Sequence, residues 1–190
     1  MKRFQIAQAG YIVISIAFYA GAVLFLSSQW LPASALSVFC GVCLLAYGVI
    51  KIIGYFSEDL FCLAFRYDLA FGLLLLVTGI LALALHDRAE RWLALGVGWL
   101  ALLDSVLKIQ MSQEAKKFGL ARWNIIAATA AVTGCLAVLH IIHCSVSSGS
   151  PNILAALTLL SVGVMNHCVA AFAVKEPQLS YEKTERKKEI

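Results

Sequence analysis

The sequence predicts an all-α membrane protein, built as six transmembrane helices in three copies of one two-helix hairpin. Three observations predict it. The chain is 61% hydrophobic and only 14% charged, with a mean hydropathy of +0.85, whereas a soluble domain is about half apolar and about a quarter charged. The apolar residues are gathered into runs of about 18–22, the length that crosses a bilayer as helix. Those runs also repeat in pairs. No long polar stretch remains that could build a separate soluble catalytic domain.

The six runs are expected at about 10–30, 35–56, 66–86, 91–112, 122–143 and 152–174. Pro32 separates the first pair. His86-Asp87-Arg88 with Glu90-Arg91 separates the third run from the fourth. "SSGSPN" at 147–152 is a turn cluster whose Asn152 can cap the sixth helix. Pro177 stops that helix, because proline lacks the N–H needed to continue it. The membrane domain is thus expected over 1–177, with hairpins at about 10–56, 66–117 and 122–174. Residues 178–190 form a charged tail.

Orientation follows from lysine and arginine, which concentrate on the cytoplasmic side. With the N-terminus inside, thirteen of the fifteen fall on inner segments, and only Arg88 and Arg91 fall outside. Both ends, including the mixed-sign tail "EKTERKKEI", are therefore expected in the cytoplasm. Met1-Lys2-Arg3 followed by an apolar run imitates a secretory signal, but the run is longer than such a signal needs and is expected to stay as a membrane helix.

The repeat is visible residue by residue. "VTGILALAL" (77–85) matches "VTGCLAVLH" (132–140), placing Gly79 over Gly134, and Gly21 of "FYAGAVLFL" takes the same place in the first span. "GVCLLAYGVIKI" (41–52) aligns with "GWLALLDSVLKI" (98–109), placing Lys51 over Lys108. The sixth span, "LLSVGVMNHCVAAFA", fits more loosely and lacks the lysine. Two spans restore orientation, so this is a parallel repeat. Gly21, Gly79 and Gly134 are expected at helix contacts, where a missing side chain lets backbones approach.

These segments, with "FRYDLAFGLLLLVTGILAL" and "GWLALLDSVLKIQMSQEAKKFGLARW", resemble the HdeD-like family of short-repeat bacterial membrane proteins. The resemblance covers about residues 10–174. Its more specific parts are the lysine ending the even helices and the "AKKFG…RW" lead into the next hairpin. It implies a multi-pass bacterial inner-membrane protein of six helices. It also implies a role in acid resistance, and it brings no catalytic residues with it.

Polar residues inside the spans are the candidate site. Counted from Trp92, Asp104 lies about 18 Å into a hydrocarbon core of about 30 Å. Lys51 and Asn166 lie about 21 Å deep by the same count. Tyr47, Asp104 and Asn166 occupy matching positions of the three even helices, so a pseudo-three-fold bundle brings them to one level. A lone carboxylate there costs about 3 kcal/mol. Lys108, four residues on, can pair with it along the helix, and His167 beside Asn166 is a further candidate partner. Lys51 and Lys108 can alternatively snorkel to the inner surface. Hydrogen-bonded helix association is the expected role of this network. A proton- or solute-handling role is the alternative.

Other features carry less. The six cysteines lie mostly in apolar runs and are expected free. Cys40-x-x-Cys43 has no basic neighbour to activate a thiol. "HIIHC" (140–144) offers two histidines and a cysteine but no carboxylate, so His140 and His143 read as interfacial residues rather than metal ligands. Trp30, Trp92 and Trp123 read as interface anchors. No zinc motif, nucleophile elbow or phosphate loop is present, which argues against an enzyme. No cofactor, nucleic-acid partner or known small-molecule ligand is expected. The expected partners are the lipid bilayer and, as an open alternative, further copies of the chain. The function expected is that of a non-enzymatic integral membrane protein in acid or envelope stress. The alternative is a small transporter or channel with Asp104 on its path, although no proline interrupts any span.

Overall fold

The computed structural model describes residues 2–27, 32–56, 68–85, 90–117, 122–146 and 152–174. Trp30, Cys62, Pro177 and the tail lie outside the described residues. The described residues form six helices: α1 (Lys2–Leu26), α2 (Ala33–Tyr55), α3 (Asp68–Ala84), α4 (Glu90–Lys117), α5 (Trp123–Val146) and α6 (Asn152–Cys168). A π-helical segment, Val169–Val174, continues α6. Five of the helices are long and apolar enough to cross a membrane, and the apolar stretch Leu69–Ala84 of α3 is shorter. The seventeen residues of α3 measure about 25 Å, against a hydrocarbon core of about 30 Å.

The helix starts follow from local chemistry. Pro32 is extended at φ −66° and ψ 142°, and its carbonyl accepts from the N–H groups of Ala35 and Leu36. That is the geometry of a chain turning into a helix directly after a proline. Buried serines and threonines return their hydroxyls to their own helix, as Ser15 does to the Tyr11 carbonyl at 2.7 Å and Thr158 to that of Leu154 at 2.7 Å. Such back-bonding lets small hydroxyl residues sit in an apolar bundle with their donor satisfied, although the buried Ser37 hydroxyl has no such partner.

The helices alternate in direction and pack laterally in a ring. The closest interfaces are α2 with α3, α4 with α5, and α6 with α1. Each therefore joins the even helix of one hairpin to the odd helix of the next. Glycine makes these approaches close. A Cβ on Gly48 would stand 2.8 Å from the Gly72 carbonyl, and one on Gly79 would stand 3.0 Å from the Gly41 carbonyl. Gly41 and Gly48 of α2 thus face Gly72 and Gly79 of α3 backbone to backbone, two helical turns apart on each helix. Gly134 faces Ser105 of α4, and Gly21 faces both Leu159 of α6 and Phe39 of α2. The three repeat-related glycines all look toward the even helix of the preceding hairpin around the ring.

The ring is not closed evenly. The partners α1 and α2, and α5 and α6, lie against each other along their length, whereas α3 and α4 scarcely touch. A cavity of about 300 Å³ opens between them. On the inside, a continuous apolar core runs from Tyr11, Ile14 and Phe18 through Leu44 and Leu75 to Leu159 and Met165.

Candidate functional site: a buried cluster where the even helices meet

Asp104 lies at the centre of the bundle and is 1% exposed. Lys108 follows it by one helical turn, and its ammonium stands 2.5 Å from Asp104 Oδ2. The same ammonium donates to Tyr47 Oη at 3.2 Å and to Asn166 Oδ1. Three ammonium donors thus meet three acceptors from three even helices. The Tyr47 hydroxyl lies 2.9 Å from Asp104 Oδ2 and 3.1 Å from Asn166 Oδ1. Its single proton favours the carboxylate, because a hydrogen bond to a charged acceptor is stronger. The donor-only lysine also fixes the Asn166 amide with its oxygen toward the cluster.

Lys51 approaches from the other side. Its ammonium is 3.6 Å from Asp104 Oδ1 and donates to Tyr11 Oη at 3.2 Å. Three aromatic rings surround it, those of Tyr11 at 5.4 Å, Tyr47 at 5.1 Å and Phe71 at 5.3 Å. Such contacts contribute about 2 kcal/mol each when desolvated. The rings meet Tyr47 edge to face, Tyr11 at 89° and Phe71 at 84°, which turns their faces inward. One carboxylate is thereby clasped by two lysines within a wall of aromatic rings.

The structure brings Tyr47, Asp104, Lys108 and Asn166 into hydrogen-bond contact. Helix period explains why His167 is not among them. It follows Asn166 by about 100° around α6 and is exposed, while Asn166 is fully buried. Snorkelling is also corrected. Lys51 and Lys108 are 2% and 3% exposed and turn toward Asp104, because the carboxylate and the tyrosine hydroxyls solvate them within the bundle. Sequence reasoning named Lys51 as the counterpart of Lys108 and as a snorkelling side chain, not as a partner of Asp104, and missed Tyr11 and Phe71 altogether. A tyrosine one turn inside a membrane edge ordinarily reads as part of the interfacial belt, so no local signal marked Tyr11.

His140 departs from the interfacial expectation too. It is fully buried, with Nε2 2.8 Å from the Ala94 carbonyl, and Gly98 of α4 provides the space for its ring. Cys144 Sγ lies 3.7 Å from His140 Nε2. Trp92 is exposed, and Trp123 is half-buried beneath the Lys116 ammonium at 4.6 Å. Among the described residues, no three His, Cys, Asp or Glu side chains gather as a metal site, and Cys40, Cys43, Cys135, Cys144 and Cys168 are free thiols.

Two atoms of the cluster lack a hydrogen-bond partner, Asp104 Oδ1 and Asn166 Nδ2. One wants a donor and the other an acceptor, so the centre as described ties helices together firmly without satisfying every group.

No curated protein and no solved structure matches the chain. A family described as a short repeat of unknown function, DUF308, matches it twice, over residues 13–84 and 70–142. Each match spans three helices, α1 to α3 and then α3 to α5. The shift between the matches equals the repeat that places Tyr47 over Asp104 and Gly21 over Gly79. Together they cover more than half of the sequence, and the chain belongs to the DUF308 short-repeat family.

Proposed function

We propose that this is a non-enzymatic multi-pass protein of the bacterial inner membrane, with both termini in the cytoplasm, acting in acid or envelope stress. One observation carries the non-catalytic reading. The charged groups at the bundle centre, Lys51, Asp104 and Lys108, are each 3% exposed or less and are bonded to one another and to Tyr11, Tyr47 and Asn166. A site that processes a substrate exposes its reactive groups to a cleft, whereas these join α1, α2, α4 and α6. The stress role rests on the resemblance of the repeats to HdeD-like proteins, and the orientation rests on the thirteen inner basic residues. Deletion should lower survival in acid while leaving solute uptake unchanged, and unchanged survival would refute the stress role.

A second reading, transport of protons or a small solute past Asp104, draws on Asp104 Oδ1 and Asn166 Nδ2, neither of which has a hydrogen-bond partner. Intramembrane acids often mark such paths. Purified protein in liposomes decides between the readings. Flux above that of empty liposomes, abolished by Asp104→Asn in a folded protein, would establish transport and displace the first reading.

A further inference from the structure

The opening between α3 and α4 has a cause in the repeat. Aligning Gly41 with Gly98 places Phe39 of α2 over Gly96 of α4. In the first hairpin, Phe39 reaches across to α1, its Cε1 standing 3.3 Å from where a Cβ on Gly21 would be. In the second hairpin the ring is missing. A Cβ on Gly96 would meet nothing within 4 Å. The space left is the cavity of about 300 Å³. Leu44 forms its floor, Thr78, Leu81 and Ala82 one wall, and Gly96 and Leu100 the other. Its lining is apolar, since the hydroxyl of Thr78 is bonded to the Leu74 carbonyl of its own helix.

We propose that this slot is a binding site for one acyl chain of a membrane lipid. Its mouth is continuous with the lipid-facing surface, because Val77 and Leu81 on α3, Leu85 just past its end, and Trp99 and Leu103 on α4 are exposed apolar side chains flanking it. An exposed tryptophan, Trp92, stands at its end, two residues into α4. That ring belongs chemically at headgroup level, its apolar body toward the chain and its N–H toward water. Size selects the occupant. An apolar cavity of about 150 Å³ takes up benzene, so about twice that volume suits a hydrocarbon chain of roughly a dozen carbons. A helix of a second copy, about 10–12 Å across, does not enter. A slot left empty between two helices would forfeit van der Waals contacts along both walls, and a flexible chain restores them.

The test uses the full chain extracted from membranes in mild detergent. Native mass spectrometry counts the phospholipids that survive activation, and circular dichroism confirms the fold. The wild type should retain one phospholipid. Gly96→Phe, which restores the ring found in the first hairpin, should lower the lipid-bound fraction about tenfold, whereas Gly96→Ala should keep it. Ala82→Phe fills the slot from the α3 side and should act like Gly96→Phe, which keeps the test open if either variant misfolds. The site is refuted if the wild type carries no retained phospholipid or if both filled variants keep it. Loss of a dimer instead of a lipid in the filled variants would assign the slot to a second copy and likewise overturn the proposal.

Discussion

Asp104→Asn is the most informative single change, because it removes one negative charge and almost no volume. The carboxylate is shared by Lys108 at 2.5 Å and Lys51 at 3.6 Å. At an effective dielectric constant of about 20, those separations correspond to gross attractions of about 7 and about 5 kcal/mol. Desolvation of all three groups cancels much of this, and removing one partner of a buried pair typically costs a net 3–5 kcal/mol. Hydrogen bonds between neutral groups on membrane helices average only about 0.6 kcal/mol. Asparagine still accepts from Tyr47, so nearly all of its effect is electrostatic. We expect Asp104→Asn to destabilise by about 4 kcal/mol. Lys108→Met should cost about 2 kcal/mol, because Lys51 still faces the carboxylate. The double variant should be more stable than Asp104→Asn alone, since one of the two ammonium groups that the carboxylate held together is gone. The assay is unfolding by SDS in mixed micelles, followed by circular dichroism. An Asp104→Asn protein within about 0.5 kcal/mol of wild type would refute the idea that the carboxylate holds the bundle together. A double variant less stable than Asp104→Asn would refute the charge argument even if the carboxylate matters.

Gly48→Ala sets a Cβ 2.8 Å from the Gly72 carbonyl and should force α2 and α3 apart, destabilising by about 1–3 kcal/mol, while Gly96→Ala, with open space around it, should stay within about 0.5 kcal/mol; equal effects in the same unfolding assay would refute the packing argument. His140→Phe keeps the ring volume but leaves the Ala94 carbonyl without its 2.8 Å partner, so a loss of about 1–3 kcal/mol is expected, with thermal unfolding as the measurement. Reporter fusions at Pro32, Asp87 and Ser148 should report the outside and fusions at Ser57 and Lys117 the cytoplasm, and a reversal at any one of them breaks the orientation drawn from the basic residues.

The sequence by itself determined the class of the protein and its period. Apolar runs long enough for a bilayer have few other stable solutions, because lipid forces every backbone group into an internal hydrogen bond. The repeat put Tyr47, Asp104 and Asn166 at one depth, and depth along a helix is a matter of counting. Rotation around the helix was harder to read. Adjacent positions point about 100° apart, and nothing local says which one faces inward, so Asn166 joined the cluster while His167 turned outward. Lys51 and Lys108 posed the same problem in another form. A long lysine stem can reach either water or a partner, and only the positions of Tyr11, Tyr47 and Asp104 on other helices made the interior the better solvent. The unequal closure of the ring was the most tertiary feature of all. A glycine at position 96 reads as one more small residue in a membrane helix. It becomes a vacancy only when α3 stands across from it, because a cavity is a property of what two surfaces fail to fill together.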